Sequence, residues 1–445
     1  MFKKLYKYII TFILIFAIFS SNIVSAFQIS GFELNARAAM LISLDTNQIM
    51  YEKDADKKMY PASLTKILAA VLVLEKGDDL DKTTITVSDT TLTAIMGTGA
   101  SVIGLREGEK LTVRQALYCL LVSSGGDVAY VIAEYVGGDT ETFMNMMNKR
   151  ANELGMKNSS FGNPVGLHDD DTYTTARDIS ILVKHALKFD VFKEITSTVR
   201  YYMAKTNKSP ERILSTTNFL IDPSTNYFYT YASGVKTGFT DEAGRCVVST
   251  ASYNGYNYLC IIMGCNGEGG RRNEFVDSRN LYRWAFNDFE YKSLLDMKQP
   301  VTEIPVELSM ETDFLKLYPQ QNITQILPKS ADSSTITVKP HLKSESVDAP
   351  IKKGDVFGTA DVIYAGEVIG TVNLISAENI KSNVFLQAGR VVKNIFKSKV
   401  FKIIIGIVIG AILLYILACV YLNLKGRKKR RKVKYVPYNK HSKDE

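Results

Sequence analysis

Ser63 and Lys66 stand three residues apart in the run Pro61-Ala-Ser-Leu-Thr-Lys-Ile. Three residues is close to one helical turn, so on a helix both side chains share a face. A serine hydroxyl is a weak nucleophile until a base takes its proton, and a lysine serves as that base only when neutral. Burial or a neighbouring cation makes it so. A helix N-terminus at this point also offers backbone N–H groups to an oxyanion. Alone, the spacing is equally that of a capping serine and a solvated lysine. Two further segments strengthen the chemical reading. Ser123-Ser-Gly-Gly-Asp ends an apolar helical run, with Ser124 61 residues after Ser63. Lys236-Thr-Gly-Phe-Thr follows Ser233-Gly-Val in a strand-like context, 173 residues after Ser63. That strand supplies a second lysine, a hydroxyl for an anionic substrate end, and a glycine that lets substrate lie close to the backbone. Together the three segments point to acyl transfer through a serine ester.

The elements that must hold these groups follow from the pattern. Ala38-Ala-Met-Leu-Ile-Ser-Leu reads as a strand, Asp45-Thr-Asn-Gln as a turn and Ile49-Met-Tyr-Glu as the returning strand. Helices are predicted over Leu64–Lys76, Thr112–Tyr135, Glu141–Gly155, Thr175–Lys188 and Ser278–Phe286, with Gly155 as a stop signal. Cys246-Val-Val-Ser-Thr-Ala-Ser and Tyr258-Leu-Cys-Ile-Ile-Met read as strands joined by a turn. Strands at both ends with helices between predict an α+β fold: an antiparallel sheet, helices packed on it and a helical lobe. From about Lys298 short alternating runs split by Gly, Pro, Asn and Asp predict a small all-β domain over 298–378, then a linker over 379–400.

Both termini read as targeting segments. Lys3, Lys4 and Lys7, the apolar run Ile9–Phe19 and Val24-Ser25-Ala26 form a signal-peptide pattern over 1–26. Ile403–Leu422 carries no charge, which predicts a transmembrane helix over 401–424. The basic segment 425–445 then stays cytoplasmic and the body lies outside. The net charge of +8 belongs to the ends: the tail carries +8 and the leader lysines +3, leaving the body at −3. An acidic body excludes a nucleic-acid surface. Cys119, Cys246 and Cys260 sit in apolar runs and read as buried thiols. His168, His185, His341 and His441 lack metal-ligand spacing, Asp169-Asp170-Asp171 reads as an acidic surface loop, and no cofactor-binding fingerprint occurs.

On its three motifs the chain resembles the low-molecular-mass penicillin-binding proteins that are D-alanyl-D-alanine carboxypeptidases. Tyr60-Pro-Ala-Ser-Leu-Thr-Lys is similar to their nucleophile box, and Leu105-Arg-Glu-Gly-Glu-Lys-Leu-Thr-Val leads into the middle motif as theirs does. Glu153-Leu-Gly-Met-Lys-Asn-Ser-Ser-Phe-Gly-Asn-Pro-Val-Gly-Leu-His-Asp is close to a signature that β-lactamases lack. The resemblance implies a penicillin-binding, β-lactamase-like transpeptidase domain over 27–292. It implies a peptidoglycan stem peptide ending in D-Ala-D-Ala as substrate, β-lactam antibiotics as acylating inhibitors, and no cofactor. Ser63 is then the nucleophile, Lys66 its base, and Ser124 the proton relay. Lys236 and Thr237 meet the terminal carboxylate, Gly238 gives close approach, and the N–H groups of Ser63 and Phe239 form the oxyanion hole. Arg271 or Arg272 adds a further carboxylate contact. One position departs: where the family has Ser-x-Asn, this chain has Ser124-Gly125-Gly126. That leaves open a protein that binds penicillin or wall peptide without turnover. A β-lactamase is the remaining alternative, and no convincing Glu-x-x-x-Asn motif in the middle region supports it.

Overall fold

The structure, a computed structural model, describes Phe27 and residues 31–430. The expected leader and the end of the basic tail lie outside the described residues. The chain forms two compact units. The first takes in the residues up to Leu295 together with Asn322–Thr337 and Val362–Gly370.

Its sheet has five antiparallel strands: β1 (Ala38–Ser43), β2 (Ile49–Lys53), β3 (Ala232–Thr240), β4 (Gly244–Tyr253) and β5 (Tyr256–Cys265), in the order β2-β1-β5-β4-β3. Alternation along the strands explains their unbroken apolar character. Ala38, Met40 and Ile42 of β1, with Leu259, Ile261 and Met263 of β5, face a core shared with the helical lobe. Ala39 and Leu41, with Tyr258, Cys260 and Ile262, face a second core. Both faces are covered, so neither strand needs polar residues, and each large aliphatic so buried contributes about 1.5–3 kcal/mol.

Helix α1 (Thr65–Lys76) runs through the first core, with Thr65 to Val73 all buried, and stops at left-handed Gly77. The lobe around it comprises α2 (Asp89–Ile95), α3 (Val113–Leu121), α4 (Gly126–Gly137), α5 (Thr140–Leu154), α6 (Ala176–Ala186) and α7 (Asp190–Thr196). The single helix expected over Thr112–Tyr135 is two. Thr112 and Gln115 form a reciprocal capping box that starts α3. The chain then breaks at Ser123–Gly125, and α4 begins on Gly126. The break projects Ser124 out of the helical ladder. Behind the sheet lies α8 (Asn273–Asp288), whose Leu281, Tyr282 and Ala285 complete the second core. Strand Phe289–Leu295 pairs with Ile323–Pro328, where the Gln48 side chain both donates to and accepts from the Ile326 backbone at 2.9 and 3.1 Å.

The second unit is chiefly β. Its Ile304, Leu315, Leu317 and Leu374 are fully buried. The segment expected as a plain linker holds helix α9 (Val384–Lys397), capped by the Asn383 side chain and without a buried residue. Helix α10 (Lys399–Arg430) follows, and Lys399–Lys425 is long and apolar enough to cross a membrane. Cys119, Cys246, Cys260 and Cys265 are buried free thiols.

Candidate active site

The first motif folds as a 3-10 turn, Ala62–Leu64, leading into α1. Ala62 sits at φ +48°, a left-handed conformation that costs a non-glycine residue about 1–2 kcal/mol. The turn puts Ser63 at the floor of an open cleft of about 810 Å³ and places Lys66 one turn below it. Lys66 Nζ donates to Ser63 Oγ at 2.8 Å and to the Val165 carbonyl at 2.9 Å. Lys66 is 1% exposed. Burial, and secondly the nearby Lys236 charge, hold its amine well below the usual lysine range. The amine is therefore able to stand neutral beside the hydroxyl, as a general base must.

The middle motif meets it from the helical lobe. Ser124 lines the cleft, buried, at φ +59°. The Gly125 N–H donates to the Cys119 carbonyl at 3.0 Å, which fixes the turn that presents Ser124. Gly126 carries no side chain into the site.

The third motif is β3, an edge strand, so its outer rim is free of sheet pairing and borders the cleft. Gly238 lies against the nucleophile's backbone: a Cβ there would stand 3.2 Å from the Ser63 nitrogen and 3.0 Å from the Pro61 carbonyl oxygen. Only glycine gives that approach without displacement. Lys236 is 1% exposed and donates to the Thr237 carbonyl at 3.1 Å; burial pulls its amine down to about 7. Thr237 and Thr217 hydroxyls are 2.5 Å apart. Phe239 is 53% exposed, with the Arg245 guanidinium over its ring.

Sequence reasoning left Arg271 and Arg272 undivided, and the structure separates them. Arg272 lines the cleft, with its guanidinium over Phe219 and Phe275 and Nε bonded to the buried Glu274 at 2.6 Å. Arg271 is exposed and is not part of the lining. Ser63, Lys66, Ser124, Thr237, Gly238, Phe239 and Arg272 therefore converge on one cleft, with Lys236 buried beneath it.

Several contributors carried no assignment from sequence. Val165 accepts from the base through its backbone, which no side-chain pattern encodes. Gly166, at φ +83°, lets that loop touch the nucleophile turn: a Cβ would fall 1.8 Å from the Ala62 carbonyl oxygen. His168 lines the cleft and meets Tyr60 edge-on at 4.6 Å. Thr216, Thr217 and the loop Thr98–Ser101 complete the walls. The tyrosines before β3 are partly core: Tyr229 stacks on Tyr282, and Tyr231 meets Phe286.

Comparison with known proteins places the chain in a family. The family model described as D-alanyl-D-alanine carboxypeptidase matches residues 24–267, and that of the penicillin-binding protein 5 C-terminal domain matches 289–382. The chain is 32% identical over 326 residues to the D-alanyl-D-alanine carboxypeptidase DacF of Bacillus subtilis, covering 73% of this chain and 80% of that one. It is 29% identical over 367 residues to DacC of Escherichia coli, covering 80% and 87%. Penicillin-binding protein 5 from Haemophilus influenzae superimposes with a TM-score of 0.63 at 24% identity, over 80% of this chain and 100% of that one. This likeness is one of fold.

Proposed function

The chain belongs to the D-alanyl-D-alanine carboxypeptidase family of penicillin-binding proteins and is a serine carboxypeptidase of that class, and from this premise we propose how its residues divide the work. Ser63 Oγ attacks the carbonyl carbon between the last two D-alanines of a peptidoglycan stem peptide. Neutral Lys66 takes the hydroxyl proton as the new C–O bond forms. The oxyanion is held by the backbone N–H groups of Ser63 and Phe239. Ser124 passes a proton toward the departing amine, the C–N bond breaks and D-alanine leaves. Water then attacks the ester, with Lys66 again as base, and restores Ser63. Thr237 and Arg272 hold the terminal carboxylate, with Lys236 supporting that end of the cleft from beneath. A β-lactam follows the first half and stays as the ester.

The observation that carries this reading is the 2.8 Å contact between Lys66 Nζ and Ser63 Oγ, made by an amine whose burial favours the neutral form. The test is D-alanine release from diacetyl-Lys-D-Ala-D-Ala by the detergent-solubilised full chain. Release that Ser63→Ala abolishes is expected; release that survives the substitution overturns the assignment.

For location, the supporting features are the leader pattern over 1–26, the apolar helix Lys399–Lys425 and the basic run that starts at Lys425. They favour a catalytic domain outside the cytoplasmic membrane, a single span, and a tail inside. A cysteine placed in the tail is expected to resist a membrane-impermeant maleimide in intact cells; labelling there reverses the topology.

A further inference from the structure

The departure at Gly126 has a physical cause within the fold. The loop between α2 and Lys110 passes across the N-terminus of α4, where two sets of contacts hold it and a third closes its own turn. The Gly126 N–H donates to the Ser101 carbonyl at 2.6 Å. The buried Asp127 carboxylate accepts the N–H groups of Ile103, Gly104 and Leu105 at 2.9–3.1 Å. The Thr98 hydroxyl, bonded to the Ile95 carbonyl at 2.8 Å, closes the turn. The fit leaves no room at the two glycines. A Cβ on Gly126 would meet Ile95 Cδ1 and the Ser101 carbonyl oxygen at 3.1 Å and Ala100 Cβ at 3.2 Å. A Cβ on Gly125 would lie 2.5 Å from Ile103 Cγ1. An asparagine at 126 brings three heavy atoms beyond its Cβ and has to displace the loop.

The displaced segment is itself a wall of the active site, since Thr98, Gly99, Ala100 and Ser101 line the cleft with Ser63 and Ser124. Ser101 is exposed, lines the cleft, and its backbone is pinned through its own carbonyl. We propose that Ser101 is a substrate-contacting residue that hydrogen-bonds the stem peptide's backbone in place of the asparagine side chain that the Ser-x-Asn pattern puts at position 126, and that Gly126 is the seat that docks its loop. The proposal rests on the carboxypeptidase reading of the same cleft. Gly126 is then no lesion, because a helix-borne side chain has been exchanged for a loop-borne hydroxyl held by four backbone hydrogen-bond donors.

The test uses the full chain in detergent micelles, with kcat and KM for diacetyl-Lys-D-Ala-D-Ala, the rate of acylation by benzylpenicillin, and the thermal midpoint. Ser101→Ala is expected to lower kcat/KM about fivefold, the worth of one neutral hydrogen bond, mainly through KM and with the midpoint unmoved. Ser101→Thr, which keeps the hydroxyl, is expected to restore most of it. Gly126→Asn is expected to lower peptide turnover and penicillin acylation more than tenfold. Unchanged kinetics in Ser101→Ala, or a folded Gly126→Asn with raised kcat/KM, overturns the proposal. The Ser101 pair decides the matter even where Gly126→Asn fails to fold. Absence of D-alanine release by the wild-type chain strikes the functional reading instead.

Discussion

Replacing Lys236 by methionine should damage the enzyme and stabilise the protein. The side chain is buried, and burial alone takes its amine from 10.5 to about 7. The folded pKa lies below the unfolded one, so between about pH 7 and 10.5 the unfolded chain binds more protons and stability rises with pH. The cost of burying the amine is therefore fully present below about pH 7 and absent above 10.5. At pH 7 it amounts to about 4 kcal/mol. Methionine fills a similar volume without charge but leaves the Thr237 carbonyl without its lysine donor, a loss of about 1 kcal/mol. The expected net gain is about 2–3 kcal/mol at pH 7, shrinking toward zero or slightly below by pH 10.5. Lys66 adds to it with the same sign, because Lys236 is one of the causes that depress its amine. Urea unfolding of the solubilised chain reads this directly. The single tryptophan, Trp284, is buried against Phe289 in the second core, and its fluorescence reports that unit. The same variant is expected to lose at least 10²-fold in kcat/KM as the carboxylate end of the cleft loses its support. A variant less stable than wild type at pH 7, or a stability difference equal at pH 7 and pH 10, refutes the argument.

Three other outcomes follow from the same geometry. Gly166→Ala forces a methyl group onto the Ala62 carbonyl at a positive φ; it should destabilise by about 3 kcal/mol or more and slow penicillin acylation of the folded fraction, and an unshifted thermal midpoint argues against it. Arg272→Ala should raise KM for the peptide about tenfold, as expected for a hydrogen bond to a charged group, whereas Arg271→Ala should leave it unchanged; equal effects would mean that cleft lining does not distinguish the two. Acylation by benzylpenicillin should reach its plateau well below the ordinary lysine range and fall on the acid side of it, as Lys66 gains its proton. A rate still climbing tenfold per unit between pH 8 and 10 would mean that the base titrates as a normal lysine.

The site was legible where chemistry depends on side-chain identity at short spacing. Ser63 and Lys66 lie on one turn, and Lys236-Thr-Gly lies on one strand, so local pattern suffices for both. It fails where the work is done by backbone or by packing at a distance. The Val165 carbonyl that positions the base could belong to any residue. Arg271 and Arg272 differ only through the entry angle of α8, which the second core sets. Ser123-Ser-Gly-Gly carried a chemical meaning that hid its structural one, the end of α3 and the start of α4. The main sheet was readable because its strands are bounded by turn signals. Strand Ile323–Pro328, which pairs with Phe289–Leu295 in a separate two-stranded sheet, was not singled out, because its partner is distant in sequence and the pair is anchored by the Gln48 side chain.

The two serines that approach the substrate follow or occupy left-handed non-glycine positions, Ala62 at +48° and Ser124 at +59°. The two lysines that serve them are buried against their charge preference. The two left-handed positions cost about 1–3 kcal/mol each and the buried Lys236 amine about 4 kcal/mol at pH 7, together comparable with the whole margin of a domain. They persist because each is overdetermined by neighbours that do no chemistry. Gly238 and Gly166 let β3 and the Val165 loop close on the Ser63 turn from two sides, and Gly125 and Gly126 let the Ser101 loop clamp the start of α4. The glycines at this site are thus the means by which strained and desolvated groups are held. A methyl group added at Gly125, Gly126 or Gly166 tests that holding from outside the oxyanion site.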